Sequence, residues 1–292
     1  LTAIPQAPGR MNPYRAEGRR AIVRRGTRLL GLLAERGVIG AEERRLAEAQ
    51  LQTLRPQERR ERPPYLHAIL HVGRLLNRNG SPPGREPILR ATLDLELQRE
   101  IARSLESAWP EWREAGAEQA AVLVVERAGF AVRAALGSLD YFRSPAGALD
   151  FIRTPRSPGS TLKPFLYALA LERGTVTPAT WLPDAPEGAA GIGNADGRFL
   201  GPLLPRQALA NSRNVPAIHL LRRVGLNPFF RLLGELELLP EPRRHDPDPF
   251  GLALVLGGLP TTLERLAQAY GALADDGRLP ALRWYEGQPL PA

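Results

Sequence analysis

Apolar residues recur at every third or fourth position in several separate stretches of the chain, a spacing that predicts one-sided helices. Proline, glycine and clusters of charge interrupt this pattern between the stretches. Asp94 is the expected N-cap of the helix that begins at Leu95, and Arg173-Gly174 is the expected end of the helix that begins at Thr161. The predicted helices cover residues 21–36, 41–54, 65–77, 95–108, 161–173, 203–210, 216–221, 229–238 and 262–274.

Short continuous apolar runs near the middle of the chain predict strands instead. Ala120–Val125 and Phe130–Leu136 are such runs, and Arg127-Ala128-Gly129 between them is a turn sequence. The two runs therefore predict an antiparallel hairpin. A further strand is predicted at Ile88–Leu93.

Two interruptions divide the chain. Residues 55–64 are strongly charged and carry three prolines, and residues 79–84 form a second break that is rich in proline and glycine. The two breaks bracket one short helix. We therefore predict a helical segment at 1–54, a linker at 55–87 and a globular region at 88–292.

Composition narrows the possible functions. The absence of cysteine excludes disulfide bonds, Cys-ligated zinc and thiol catalysis. The net charge of +8 comes from arginines spread along the chain without interleaved aromatic residues, so we predict no nucleic-acid partner. No apolar run approaches the ~18 residues of a membrane span, and no signal peptide is visible.

Two local patterns that could indicate a metal or a nucleotide are incomplete. His67 and His71 have the spacing of a zinc pair, but the glutamate of H-E-x-x-H is missing between them. Residues 188–201 are rich in glycine without the spacing of a phosphate-binding loop. We interpret the histidines as residues of a helix face and predict neither a metal site nor a cofactor.

Lys163 is the only lysine of a chain that carries 39 basic residues. Arginine keeps its proton in proteins, whereas a lysine amine can lose it where its surroundings disfavour charge. Ser160 lies three residues earlier, so the two side chains share one face of a helix. A serine hydroxyl becomes a nucleophile when a neighbouring base takes its proton. The pair predicts a nucleophile and its base; the alternative is an N-cap serine beside a surface lysine.

The flanking residues place Ser160 at the beginning of a helix. Pro158-Gly159 is a turn signal, and Pro164 confines the helix start to within about one turn upstream. Free N–H groups and a partial positive charge collect at a helix N-terminus. That field disfavours an ammonium group and favours an oxyanion, as the predicted chemistry requires.

A second polar motif follows at Ser212-Arg213-Asn214, 52 residues after Ser160. A short polar turn between two helices can hold a hydroxyl and an amide in a cleft, where one relays a proton and the other binds a carbonyl or the lysine. Alone, this motif is equally compatible with a helix cap. Paired with S-x-x-K in this order, it matches a motif combination of serine acyl-transfer enzymes.

The residues around these motifs resemble the class A penicillin-binding proteins, which are bifunctional peptidoglycan synthases, and most closely their 1C type. The likeness is most specific over residues 88–278, and Ile4–Pro13 is similar to the end of the family's glycosyltransferase domain. The stretches that carry it are 92–98, 132–140, 156–167, 194–202, 209–217, 256–258 and 263–277.

The resemblance implies a role for each of four residues. Ser160 would attack the D-Ala–D-Ala carbonyl of a stem peptide, with Lys163 as the base. Ser212 would shuttle the proton to the leaving amine, and Asn214 would hold the substrate amide and position the lysine. The backbone N–H of Ser160 would supply half of the oxyanion hole.

The resemblance also implies an α+β transpeptidase fold, an antiparallel sheet flanked by helices with a helical subdomain. Segment 1–54 would be the end of a glycosyltransferase domain, and 88–292 the first part of the transpeptidase domain. Implied partners are peptidoglycan stem peptides, the lipid-linked precursor and covalently bound β-lactams. The implied location is the periplasmic face of the bacterial inner membrane, through an N-terminal anchor outside this sequence.

The chain departs from the family pattern at the K-T-G motif. No lysine follows Lys163, so this motif is missing. We expect an internal fragment, truncated before the last strands of the sheet, with reduced or absent turnover.

Three alternative functions remain. A D,D-carboxypeptidase differs only in its acyl acceptor. A β-lactamase needs E-x-x-L-N, and the candidates Glu235 and Glu237 lack the asparagine. A wall-binding scaffold would not be acylated.

Overall fold

The computed structural model describes residues 11–53, 65–79, 88–186, 193–240 and 246–289. Several sequence predictions lie wholly or mostly outside these ranges: the resemblance at 4–13, the linker sequence 55–64, the break at 79–84 and the first part of the glycine-rich loop. The chain divides into two compact units, Leu1–Arg62 and Pro63–Ala292. The division into 1–54, 55–87 and 88–292 stays a prediction.

The first unit contains two of the predicted helices. Helix α1 covers Ala16–Glu35 and α2 covers Ala41–Gln52. They approach closely at Gly26, where an added Cβ would lie 2.4 Å from Leu51 Cδ2. The apolar side chain of one helix thus packs directly on the backbone of the other.

The second unit combines helices with a small antiparallel sheet, which confirms the α+β class. Strands β1 (Val122–Val125) and β2 (Val132–Leu136) form the predicted hairpin, with Val122 opposite Leu136. Two helices precede it, α3 at Leu66–Asn79 and α4 at Leu95–Glu114.

Helix α4 begins as predicted but continues further. Asp94 Oδ1 accepts hydrogen bonds from the N–H groups of Glu96 and Leu97 at 2.9 and 3.1 Å, which confirms the N-cap. The helix runs past the predicted end at residue 108 and includes Pro110. Proline removes one backbone donor and does not by itself end a helix whose neighbouring turns are formed.

The strand predicted at Ile88–Leu93 is wrong, because this segment makes only an isolated bridge between Ala91 and Tyr285. The edge of β2 that a third strand would join is already covered. Gln98 donates to Ala135 O at 3.1 Å and accepts from Ala135 N at 2.8 Å, so its amide takes the place of a neighbouring strand.

The remaining regular elements described in the second unit are helices. After a 3-10 helix at Gly159–Leu162 it contains α5 (Lys163–Glu172), α6 (Pro205–Ala210), α7 (Asn214–Val224), α8 (Leu226–Glu235), a 3-10 helix at Gly251–Leu256 and α9 (Leu263–Ala274). The 3-10 helix at Gly251–Leu256 was not predicted. These elements share one apolar core, whose fully buried members include Leu166, Leu220, Phe229, Leu233 and Leu254. None of the described helices is both long and apolar enough to cross a membrane.

The 3-10 helix at Gly159–Leu162 is fixed to the segment that precedes α9 and to α9 itself. Arg156 and Thr261 exchange two backbone hydrogen bonds of 2.8 and 2.9 Å. Tyr270 donates from its hydroxyl to Thr161 O at 2.9 Å. The turn that carries Ser160 is therefore held by residues roughly a hundred positions further along the chain.

Gly257 makes the closest of these contacts. It has φ +92°, and a Cβ at this position would lie 2.2 Å from Gly159 N and 2.4 Å from Gly159 Cα. Ser157 Oγ donates to Gly257 O at 2.7 Å and keeps the two backbones together. Only glycine allows both the left-handed conformation and the approach.

We predict that Gly257→Ala destabilises the chain more than a substitution with the same backbone strain alone. Gly277→Ala is the matched control, because Gly277 has φ +83° and nothing within 4 Å of an added Cβ. The extra steric overlap at Gly257 costs about 1–3 kcal/mol more. Urea denaturation followed by circular dichroism measures both variants, and equal losses would contradict the close contact with Gly159.

Candidate active site

Ser160 and Lys163 lie at opposite ends of one turn. Ser160 is in the 3-10 helix, and Lys163 is the first residue of α5. This turn is a 3-10 helix where the sequence predicts an α-helix, and it gives the two side chains different surroundings. Ser160 is exposed, whereas Lys163 retains 1% of its accessible surface. The helix ends at Glu172, and Gly174 follows with φ +64°, as predicted.

The amine of Lys163 points at the second polar motif. Its Nζ donates to Ser212 O at 2.5 Å, to Ser212 Oγ at 3.3 Å and to Asn214 Oδ1 at 2.8 Å. An ammonium group has three hydrogens, and these acceptors use all of them. Within the described part of the chain, no hydrogen bond joins Nζ to Ser160 Oγ. The structure thus brings three of the four predicted residues into direct contact and leaves Ser160 one turn away on the exposed side.

The surroundings of this amine favour its neutral form. Burial and the nearby charge of Arg213 lower the pKa of Lys163 from 10.5 to about 8. Its three described acceptors are a carbonyl, a hydroxyl and an amide, so none of them offers the negative charge that would stabilise an ammonium group. The lysine is therefore readily converted into a base near neutral pH.

Ser212 and Asn214 occupy a tight turn between α6 and α7. Ser212 has φ +51°, a conformation that is uncommon for any residue except glycine. Its N–H donates to Leu209 O at 2.9 Å, and the N–H of Arg213 donates to Ala208 O at 3.0 Å. Asn214 begins α7. This backbone places the carbonyl and hydroxyl of Ser212 on the same side as the Asn214 amide.

A buried polar network supports the turn from behind. Asn194 Oδ1 accepts from Asn214 N at 2.8 Å and from Val215 N at 3.3 Å, which satisfies two free donors at the start of α7. Asn194 Nδ2 donates to Asp184 Oδ1 at 2.7 Å, and Arg213 Nε donates to Asp184 Oδ2 at 2.8 Å. Asp184 is completely buried, so its charge is compensated by these donors.

Sequence reasoning missed this network. In the sequence, Arg213 is the middle residue of the motif and Asn194 begins a stretch that resembles the family, but nothing there indicates Asp184. Asp184 lies 29 residues before its partner Arg213, in a segment without regular spacing. No local pattern in the sequence marks Asp184. Only the folded structure shows the buried ion pair that it forms with Arg213.

The two histidines lie on one face of helix α3, and that face is buried. His67 Nε2 is 3.2 Å from Ser138 Oγ and 2.9 Å from Gly147 O, and the ring of His71 packs edge-on to Trp284. Among the described residues no group of three or more His, Cys, Asp or Glu could hold a metal ion. An open cleft of about 720 Å³ between the end of α4 and residues 139–145 contains none of the predicted site residues.

The chain is similar in sequence to known proteins. Residues 122–286 match the family model for the penicillin binding protein transpeptidase domain. Penicillin-binding protein 1C of Escherichia coli is 33% identical over 99% of this chain, which spans 36% of that protein. Penicillin-binding protein 1A of Neisseria flavescens is 32% identical over 54% of this chain and 20% of its own length.

The fold is also found among solved structures. The PonA1 protein of Mycobacterium tuberculosis in complex with penicillin V superposes with a TM-score of 0.55 and 22% identity, over 76% of this chain and 59% of that one. The chain spans about a third of the length of its 1C-type relative. It belongs to the family of penicillin-binding protein transpeptidase domains.

Proposed function

We propose that this chain is the nucleophile-bearing part of a peptidoglycan D,D-transpeptidase. Ser160 is its nucleophile, Lys163 the general base, Ser212 the proton shuttle, and Asn214 the residue that positions the lysine and holds the substrate amide. The observation that carries the proposal is the buried amine of Lys163, which neutral acceptors on Ser212 and Asn214 hold one turn from Ser160.

The chemistry follows from the state of this amine. Neutral Lys163 takes the proton of Ser160, and Ser160 Oγ forms an ester with the carbonyl carbon of the D-Ala–D-Ala bond. That C–N bond breaks, and the leaving D-Ala amine receives a proton through Ser212, whose hydroxyl both accepts and donates. An amine of a second stem peptide then attacks the ester, releases Ser160 and forms the cross-link.

Asn214 contributes by fixing the direction of the lysine. Its Oδ1 binds Nζ at 2.8 Å, and its Nδ2 donates to Gly193 O at 3.1 Å. The second contact fixes the orientation of the amide group, so that its single oxygen faces the lysine, and it leaves the other amide hydrogen for a substrate carbonyl. Such positioning lowers the entropy cost of the proton transfer.

The wider proposal follows the family. The whole protein polymerises glycan strands from a lipid-linked precursor and cross-links them at the periplasmic face of the inner membrane, to which a segment outside this sequence anchors it. β-Lactams would acylate Ser160 as they imitate the stem peptide. The complex of PonA1 with penicillin V supports this for a protein of the same fold.

We predict that a labelled penicillin forms a covalent adduct on Ser160, in the chain itself or in a version extended at its C-terminus. Lys163→Ala should slow adduct formation by about 10²–10⁴-fold, because the general base is lost. Intact mass and peptide mapping identify the adduct and its position. Ser107→Ala, which removes an exposed serine on α4, is the control and should react like the parent.

Other outcomes separate the remaining functions. No adduct in the extended version sinks the enzyme proposal and favours a wall-binding scaffold. Rapid release of the label indicates a β-lactamase, and transfer of the acyl group to water in place of an amine indicates a carboxypeptidase.

We also predict that acylation rises with pH. The base is the neutral amine, which accumulates above its pKa of about 8. The rate should therefore increase about tenfold per pH unit below that value and level off above it. Stopped-flow acylation between pH 6 and 10 measures the profile, and a midpoint close to 10.5 would mean that Lys163 is not buried as described.

A further inference from the structure

Arg213 lies between Ser212 and Asn214 in the chain, and its own side chain points into the protein. It retains 5% of its accessible surface. Nε donates to Asp184 Oδ2 at 2.8 Å, Nη1 donates to Asp196 Oδ2 at 3.0 Å, and Nη2 donates to Arg198 O. The guanidinium is thus held on three sides, by the carboxylates of Asp184 and Asp196 and by the carbonyl of Arg198.

The carboxylate and the backbone of Asp184 are both held by hydrogen bonds. Its carboxylate accepts from Arg213, from Asn194 Nδ2 at 2.7 Å and from Leu200 N at 2.9 Å. Its own backbone exchanges hydrogen bonds of 3.1 and 3.0 Å with Gly201. A carboxylate anchored in this way cannot follow a displaced arginine, so the pair forms only in one arrangement.

The placement has an electrostatic consequence. Lys163 carries the mobile proton of the proposed reaction, and its acceptors come from the two neighbours of Arg213 in the chain. Like charges at short range disfavour ionisation. Asp184 faces Arg213, not Lys163, and it opposes the repulsion only from a distance.

We propose that Arg213 and Asp184 are positioning residues for the proposed reaction: Arg213 repels the protonated form of Lys163 and fixes the turn that receives it, while Asp184 fixes Arg213. This inference rests on the proposed function only for its catalytic consequence. The opposed charges give the two residues opposite effects on the lysine, a property that a purely structural pair would not have.

Other titratable groups near the lysine are few. Tyr167 lies one turn further along α5, and burial together with Asp184 raises its pKa. Asp196, on the exposed side of Arg213, has a pKa lowered by hydrogen bonds from the backbone of Arg198 and from Arg213. The two 3-10 helices that pack on α5 contain no charged residue, and the remaining ionisable residues on α6 and α7 are Arg206, His219, Arg222 and Arg223.

The sequence offers a direct readout. Because Lys163 is the only lysine, a chain grown with ¹³C-labelled lysine gives a single side-chain NMR signal whose pH titration reports this amine alone. Arg213→Gln removes the repulsion and should raise the titration midpoint by about one pH unit. Asp184→Asn keeps the shape and removes the opposing negative charge, so the midpoint should fall.

Two further variants keep the test decisive. Arg223→Gln removes the same charge from an exposed site on α7, where Arg223 donates to Thr175 O, and should leave the midpoint unchanged. Arg213→Gln leaves Asp184 buried without its partner, which can prevent folding. The double variant Arg213→Gln/Asp184→Asn removes both charges, and its midpoint should rise by less than that of the single variant.

The rate of acylation by penicillin provides the second measurement. At pH 7 the rate should drop about tenfold for each pH unit by which the midpoint rises, while the plateau at high pH stays unchanged. Midpoints that move in the same direction in Arg213→Gln and Asp184→Asn, or do not move in the double variant, overturn the inference. If the parent chain and its extended version are not acylated, the proposed function fails, and the titration still decides the role of the pair.

Discussion

A buried lysine amine whose described hydrogen-bond acceptors carry no negative charge is the constraint on which this structure depends. Lys163 donates to one carbonyl, one hydroxyl and one amide, and a neighbouring arginine repels its charge. Placing a cation there costs stability at pH values below its pKa in the fold. The unfolded chain binds this proton more tightly, so that cost disappears as the pH rises from about 8 towards 10.5.

The fold supports this arrangement from two directions. On one side, the backbone of Gly257 and the hydroxyl of Tyr270 contact the backbone of the turn that carries Ser160. On the other, Asp184 and Asn194 hold the turn that carries Ser212 and Asn214. Both supports come from segments remote in sequence. A displacement of either support would change the position of Ser160 relative to the groups that bind Lys163.

Most helices and both motifs could be predicted because they depend on local spacing. Periodic apolar residues define α4, α7 and α9, and Ser160–Lys163 needs only a single turn. The elements that were predicted wrongly or missed depend on contacts between distant segments. The strand at 88–93 was wrong because the Gln98 side chain covers the edge of β2, and the 3-10 helix at Gly251–Leu256 has no spacing of its own. The pair of Asp184 and Arg213 has no local pattern and forms only when separate segments of the fold meet.

The chain belongs to the penicillin-binding protein transpeptidase family, and the surroundings of Lys163 lower the pKa of the amine that the proposed chemistry uses as a base. The most direct test is the NMR titration of the single lysine in the unaltered, folded chain. The account predicts one signal with a midpoint near pH 8. A midpoint near 10.5, the value of a solvated lysine, would contradict it.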